Sequence, residues 1–294
     1  MGEVLRGNSC EVEIILDSVS PEAIRLTTVR LRYWRPIHSE LMTHRVFSRN
    51  ARSSRAVPVV TLLKEEPYIP VFGQNQPGMQ SLQELQPDQQ EAAQVIWKEM
   101  IRQTRLGVEA LHKLGVHKQW ANRPLEWFGW IDVLVTSTDW ANWFALRDHP
   151  DAAPEIHELA HLMSETFGAS EPKYLGYDEW HLPFILPEEM GSDPEQLKVL
   201  SAARCARISY KPFDGDPTPE KERARYDKLV VSEPVHASPT EHQATPDYKV
   251  EFDLGKGQSI ELWANAPKQG NFYGWCQHRK DIPNEAVFDA HYWG

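Results

Sequence analysis

From Asp88 to Leu114 the chain carries an unbroken helical pattern. Ala92, Val95, Ile96, Met100, Gly107, Ala110, Leu111 and Leu114 form an apolar stripe, and Gly115 follows as a stop. A helix of that length needs other elements to pack on, which makes the neighbouring segments informative. Residues 10–17 (CEVEIILD) and 24–33 (IRLTTVRLRY) are β-rich and partly alternating, and predict two strands. A helix is predicted from Pro36, with Ile37, Leu41, Met42 and Arg45 at helical spacing, and another over Val59–Glu66, stopped by Pro67. Between them, the polar stretch 48–55 reads as a loop, as does the Gln-, Gly- and Pro-rich run 70–88.

Further on, a Trp-rich helical region is predicted over about Leu125–Arg147, then a helix over Pro154–Phe167 and a loop over 169–194. Helices follow at Pro194–Arg207 and Pro219–Val231, and a hairpin at 247–265. Strands and helices without regular alternation predict an α+β fold with a mixed sheet and long helices. No Gly-rich dinucleotide fingerprint or phosphate loop is present, so the expected fold is non-Rossmann. One domain spanning 1–294 is expected.

Composition narrows the partners. The 31 basic residues against 42 acidic ones give a net charge of −11, the wrong sign for a sequence-blind binder of duplex nucleic acid. No run approaches the ~20 apolar residues of a membrane span, and the N-terminal stretch has no apolar core of a secretion signal. Cys10, Cys205 and Cys276 are too few and scattered for a disulfide framework, so a reducing cytoplasm is the expected compartment.

Against this acidic background one stretch stands out: THRVFSRNARSSRAVP, residues 43–58. It carries His44, Arg45, Arg49, Arg52 and Arg55 among Ser48, Asn50, Ser53 and Ser54, with no acid. Guanidinium forks and hydroxyls at this density suit a phosphate-bearing anion. Thr43-His44-Arg45, seven residues, then Ser53 resembles the Arg-His-Arg…Ser signature of the flavin-dependent thymidylate synthases, with Ser48, Asn50 and Arg55 matching its inner pattern. Asn142, Arg147, Glu155 and Ile156 resemble that family's Asn-x-x-x-x-Arg helix and the helix that follows it. AARCARISY (202–210) and HASPTEH (236–242) resemble its Ala-Arg-x-Ser and His-x-x-Pro-Phe-Glu-His stretches, matching Ser209, His236, Ser238, Glu241 and His242. In the family those stretches precede the signature and here they follow it. The chain therefore reads as circularly permuted, with a signature segment 36–58, a helical region 88–167 and a permuted segment 195–294. Permutation is physically reasonable because domain termini often lie close together.

The resemblance implies FAD, 5,10-methylene-tetrahydrofolate as carbon donor, NADPH as reductant and a pyrimidine deoxynucleotide monophosphate as acceptor, in a homotetramer with active sites between subunits. It implies a flavin lined by His44, Asn50, Asn142, Ser209, His236, Ser238 and Glu241. It implies nucleotide binding and ring polarisation by Arg45, Ser53, Arg55 and Arg147, with catalysis resting on Arg147, Arg45 and Ser53. The chain departs from the family at Thr43 (Arg), Ala51 (Glu), Ala56 (Tyr) and Thr240 (Phe), and Glu40 stands near a family Gln. Gln277 and Arg279, in GNFYGWCQHRK (270–280), are the expected stand-ins for the lost polar groups. These departures bear on dUMP against dCMP, and on a methyl against a hydroxymethyl product.

Other readings have their own residues. His157-Glu158-Leu159-Ala160-His161 is a literal H-E-x-x-H and allows a zinc hydrolase, with Glu179 or Glu188 as a third ligand. The Arg loop and the 11 Trp rings allow a nucleotide- or RNA-binding module. Cys205 and Cys276 lack the surroundings of a cysteine nucleophile.

Overall fold

A computed structural model describes residues 3–78, 80, 81, 83–208 and 218–286. Three strands open the chain: β1 (Val4–Arg6), β2 (Cys10–Val19) and β3 (Arg25–Trp34). A 3-10 turn at Arg35–Ile37 leads into the short α1 (His38–Leu41), followed by β4 (Ser48–Ala51), α2 (Val59–Leu62), the long α3 (Pro87–Lys113) and α4 (Lys118–Ala121). Next come β5 (Trp130–Ser137), α5 (Ala141–Arg147), α6 (Pro154–Ala169) and β6 (Lys173–Tyr174). The rest comprises α7 (Pro194–Arg207), α8 (Pro219–Tyr226), β7 (Ala244–Pro246), the hairpin β8 (Lys249–Gly255) and β9 (Gln258–Trp263), and β10 (Trp275–Gln277).

The main sheet runs β1-β2-β3-β5-β4, all antiparallel, with β6 added parallel to β2. On one face, Val29, Leu31 and Tyr33 of β3 and Ile131, Val133 and Val135 of β5 alternate inward against α5 and α6, meeting Trp143, Ile156, Leu159 and Met163. The opposite face is covered by the C-terminal half. Leu134 packs on Phe184, Cys205 and Ile208, and Leu26 on Leu175, Ala244, Phe272 and Trp275. Permuted or not, the segment after residue 194 thus lies on the sheet that carries the arginine-rich stretch.

The α+β class and mixed sheet are as expected, and the structure corrects several local readings. Leu125–Arg147 is not one helical region: a 3-10 turn (Arg123–Trp127) leads into β5 and then α5. β5 is central and covered on both faces, so its run of apolar residues lacks the alternation that marks a half-buried strand. Ser48–Ala51, read as loop, is an edge strand whose backbone pairs with Val133–Thr136. The helix expected from Pro36 ends at Leu41, leaving Arg45 beyond it, and α2 ends at Leu62. The helix expected over Pro219–Val231 closes with a π-helical turn at Asp227–Val231. The hairpin is as expected, with Lys256 and Gly257 both at positive φ, the geometry of a two-residue type I′ turn.

Candidate active site

The arginine-rich stretch begins in the tight turn after α1. His44 is buried there, stacked on Phe47 and edge-on to Trp143 of α5. Burial holds its pKa below the usual imidazole value, and Arg147 and Arg49 push it the same way. The neutral ring accepts at Nε2 from Arg147 Nε (3.3 Å), which puts its proton on Nδ1. Arg147 stands in the last turn of α5, where a cation complements the helix dipole. Its Nη1 donates to Glu40 Oε2 at 3.0 Å and its Nη2 to Thr43 Oγ1 at 3.4 Å. Two segments of the resemblance, the signature stretch and the α5 helix, thus meet in one guanidinium, and Thr43, at the position where the resembled signature has an arginine, serves as its acceptor.

A second cluster lies along β4. Gln277 is buried and its Nε2 faces Ser48 Oγ (3.1 Å), the Glu241 carbonyl (3.0 Å) and Asn271 Oδ1 (3.0 Å). Asn271 also donates to the Val46 carbonyl at 2.8 Å. Gly270, at φ +63°, lets the chain pass Gln277: a Cβ there would come within 2.5 Å of Gln277 Oε1. Asn50 Nδ2 reaches the Cys205 carbonyl at 3.3 Å, tying β4 to α7. Burial raises the Glu241 carboxyl above its ordinary value, opposed by its ion pair with Arg279. Arg279 and Lys280 are both bound by Glu285. Gln277 and Arg279, expected to stand in for substrate-binding groups, therefore spend these contacts bracing Ser48 and Glu241.

The four arginines of the stretch are not one patch of free cations. Arg52 pairs with Glu65 (2.6 Å) and Asp132 (3.2 Å), and Arg49 donates to the carbonyls of Met42 and His44. Arg45 and Arg55 are exposed and, with the equally exposed Asn142, His236 and Ser238, form no side-chain hydrogen bond or ion pair with another described residue. Ser53 is exposed too, its Oγ accepting from Arg55 N at 3.3 Å. Ser209 lies outside the described residues. Cavities of about 440 and 400 Å³ are lined by other residues, around Lys98 and Arg105 and around Trp180 and Met190. Arg45 and Arg55 are exposed and line neither, whereas Arg52 lines a further cavity of about 310 Å³ with Arg30 and Asp132. Sequence reasoning passed over Arg49's role and Asn271, although Asn271 lies inside the 270–280 segment.

The rival chemistries find little footing. Glu158 of the H-E-x-x-H run accepts from the backbone N–H groups of Asn8 (2.7 Å) and Ser9 (2.8 Å) and from the Ser9 hydroxyl. His157 and His161 both face Asp148. Among the described residues no group of three or more His, Cys, Asp or Glu side chains is arranged to hold a metal. All three cysteines are buried, with thiol pKa values pushed up by desolvation, to about 12 for Cys10 and Cys276, opposite to what a thiolate nucleophile needs. No helix among the described residues is long and apolar enough to cross a membrane.

No protein-family model and no curated protein matches the chain. Among solved structures, it is similar to the UMP/dUMP methylase PolB from Streptomyces cacaoi bound with 5-Br UMP. The identity is 17%, the match covers 57% of this chain and 90% of that chain, and the TM-score is 0.48. A likeness at that level transfers no residue roles.

Proposed function

We propose that the protein is a flavin-dependent enzyme that moves one carbon from 5,10-methylene-tetrahydrofolate to C5 of a pyrimidine deoxynucleotide monophosphate, with dUMP as acceptor. The observation that carries this reading is the meeting of the resembling segments. Arg147 binds Glu40, Thr43 and His44 across 103 to 107 residues of chain, and Asn50 binds Cys205 across 155.

The residues supply what the reaction asks of a protein. Transfer to C5 needs electron density there, which grows when donors stabilise negative charge on a ring oxygen. Arg147 has five N–H donors, of which three are used to fix it against Glu40, Thr43 and His44, so its orientation is set while two remain for a ligand. Arg45 and Arg55 are the free cations suited to a phosphate, with the Ser53 hydroxyl between them in sequence. Asn142, His236 and Ser238 keep their polar groups unspent, as a surface that takes up a flavin dinucleotide requires, and with His44, Asn50 and Glu241 they are the residues that would hold it. When bound, the flavin supplies the redox chemistry of the transfer, with NADPH as its reductant. Because these groups stand on open surface, a second subunit closes the site, in keeping with the homotetramer that the resemblance implies.

One observation favours a second reading. Glu40 places a carboxylate beside Arg147, and its free Oε1 is an acceptor for the N4 amino group of cytosine. On that reading the acceptor is dCMP and the product is 5-hydroxymethyl-dCMP.

Calorimetric titration of the flavin-loaded protein with dUMP and with dCMP tests the proposal. One of the two binds, and Arg147→Ala weakens that binding tenfold or more. A protein that neither retains FAD nor binds either nucleotide contradicts it.

A further inference from the structure

Of the apolar stripe along residues 88–114, Leu111 packs against the buried Val59, Val108 and Ala121 and the rest is exposed. α3 turns Ile101 and Val108 to the body, whereas Ile96 is 64% exposed, Met100 47% and Leu114 80%. Ile96, Met100, Gln103, Gly107, Ala110 and Leu114 follow one another at steps of four and three residues, the spacing of a two-helix seam. All six are exposed, and a Cβ on Gly107 would meet nothing within 4 Å.

We propose that this face of α3 is an interface with a second copy of the chain, the two helices running antiparallel about a two-fold axis through Gln103. The seam is complementary to its own reversal. About that axis Leu114 falls opposite the partner copy's position 92, an alanine, and Ile96 opposite its position 110, also an alanine. Nearer the axis Met100 falls opposite the partner copy's position 106, a leucine, so large side chains meet small ones toward the ends of the seam and two exposed apolar side chains meet on either side of its centre. The ends match in charge as well. The acidic first turns, with Asp88 and Glu91, run alongside basic last turns with His112 and Lys113, and the helix dipoles oppose. Gln103 meets its own copy on the axis, a polar pair of the kind that fixes register.

The contact is modest in size. A helix of 27 residues is about 40 Å long and the seam about 10 Å wide, so about 800 Å² is buried in total, below the ~1,200 Å² of a standard stable interface. Association through this face alone is therefore reversible and depends on concentration. None of its residues belongs to the candidate active site, so the interface stands or falls separately from the proposed chemistry.

Gln103→Cys tests it in the full chain, because the native cysteines are buried and give little background. Under mild oxidation Gln103→Cys forms a disulfide-linked dimer about tenfold faster than Glu109→Cys, which is exposed on another side of the helix, reflecting the high effective concentration at a symmetry axis. Adding Ile96→Asp removes that advantage, and Ile96→Asp alone lowers the mass average in sedimentation velocity over a concentration series. Equal cross-linking of the Gln103→Cys and Glu109→Cys variants, or sedimentation unchanged by Ile96→Asp, overturns the proposal.

Discussion

Glu40 and Arg147, 107 residues apart in the chain, are joined carboxylate to guanidinium at 3.0 Å. The pair orients Arg147 and also offsets its charge where an anionic nucleotide is to bind. Glu40→Gln keeps an acceptor for the guanidinium and removes the opposing charge. It should tighten dUMP binding by about 1 kcal/mol, about fivefold, while leaving stability within about 0.5 kcal/mol, since the pair is only half-buried. Calorimetry and urea unfolding of the variant read both quantities, and weaker dUMP binding would contradict the role given to Glu40.

Arg147 and His44 touch but are given different ligands. Arg147→Ala should weaken nucleotide binding by tenfold or more, on the order of the 1.5–3 kcal/mol of a hydrogen bond to a charged group, and leave flavin retention intact. His44→Ala should do the reverse. Arg147→Lys keeps the charge and loses the planar fork, so it should recover only part of the binding. Flavin absorbance after gel filtration and nucleotide titration separate the two outcomes, and equal loss of both ligands in both variants sinks the division of roles.

Strands were legible where the residues alternate or flank a turn signal, as in β2, β3 and the exposed hairpin β8–β9, and not in β5 or β4. β2 and β3 carry alternating, β-rich runs and were legible. β5 lies in the middle of the sheet and reads as a plain apolar run beside Trp residues that favour no single element. β4 has no apolar pattern at all, because its place is set by backbone pairing to β5. Within the candidate site, the family resemblance named His44, Asn50, Arg147 and Glu241, and the fold places His44 against Arg147 and Asn50 against Cys205. The resemblance could not show that Arg49 and Arg52 are consumed internally, since their partners (the Met42 and His44 carbonyls, Glu65 and Asp132) are fixed by the fold. The stripe on α3 was legible as a pattern, and whether it faces core or solvent was decided by Ile101 and Val108 on the other side.

Acid should unfold the protein through its buried imidazoles. Ser18, His181, Thr28, Thr136 and His242 form one buried hydrogen-bonded chain across β2, β3 and β5, with links of 2.7–2.8 Å. Burial pushes His181 and His242 down to about 3, and burial with Arg35 and Arg49 pushes His38 down to about 4. Below pH 6.5 the unfolded chain takes up protons that the folded chain refuses. Stability is therefore unaffected by these groups above pH 6.5 and falls as pH drops from there toward 3. Each fully buried imidazole contributes a slope of about 1.4 kcal/mol per pH unit. Urea unfolding between pH 7 and pH 5 measures the slope. His242→Asn should reduce it by about one proton, and an unchanged slope would contradict the assignment.

Glu158 is an anchor for the β1–β2 turn rather than a general base. Glu158→Ala should destabilise the fold by about 2–3 kcal/mol, the scale of charge-assisted bonds to two backbone N–H groups. Protein grown without added zinc should keep its melting temperature in the presence of a chelator. Stoichiometric zinc bound through His157 and His161, with loss of structure on chelation, is the opposite result.

The central claim is tested most directly by weighing a product. The protein is incubated with FAD, NADPH and 5,10-methylene-tetrahydrofolate, dUMP and dCMP are offered in separate reactions, and the nucleotides are analysed by mass spectrometry. The account predicts a nucleotide heavier by one methylene unit, or by that unit plus one oxygen atom, with the new carbon on C5, and its loss in Arg147→Ala. Unaltered dUMP and dCMP in the presence of a folded, flavin-loaded protein would contradict it.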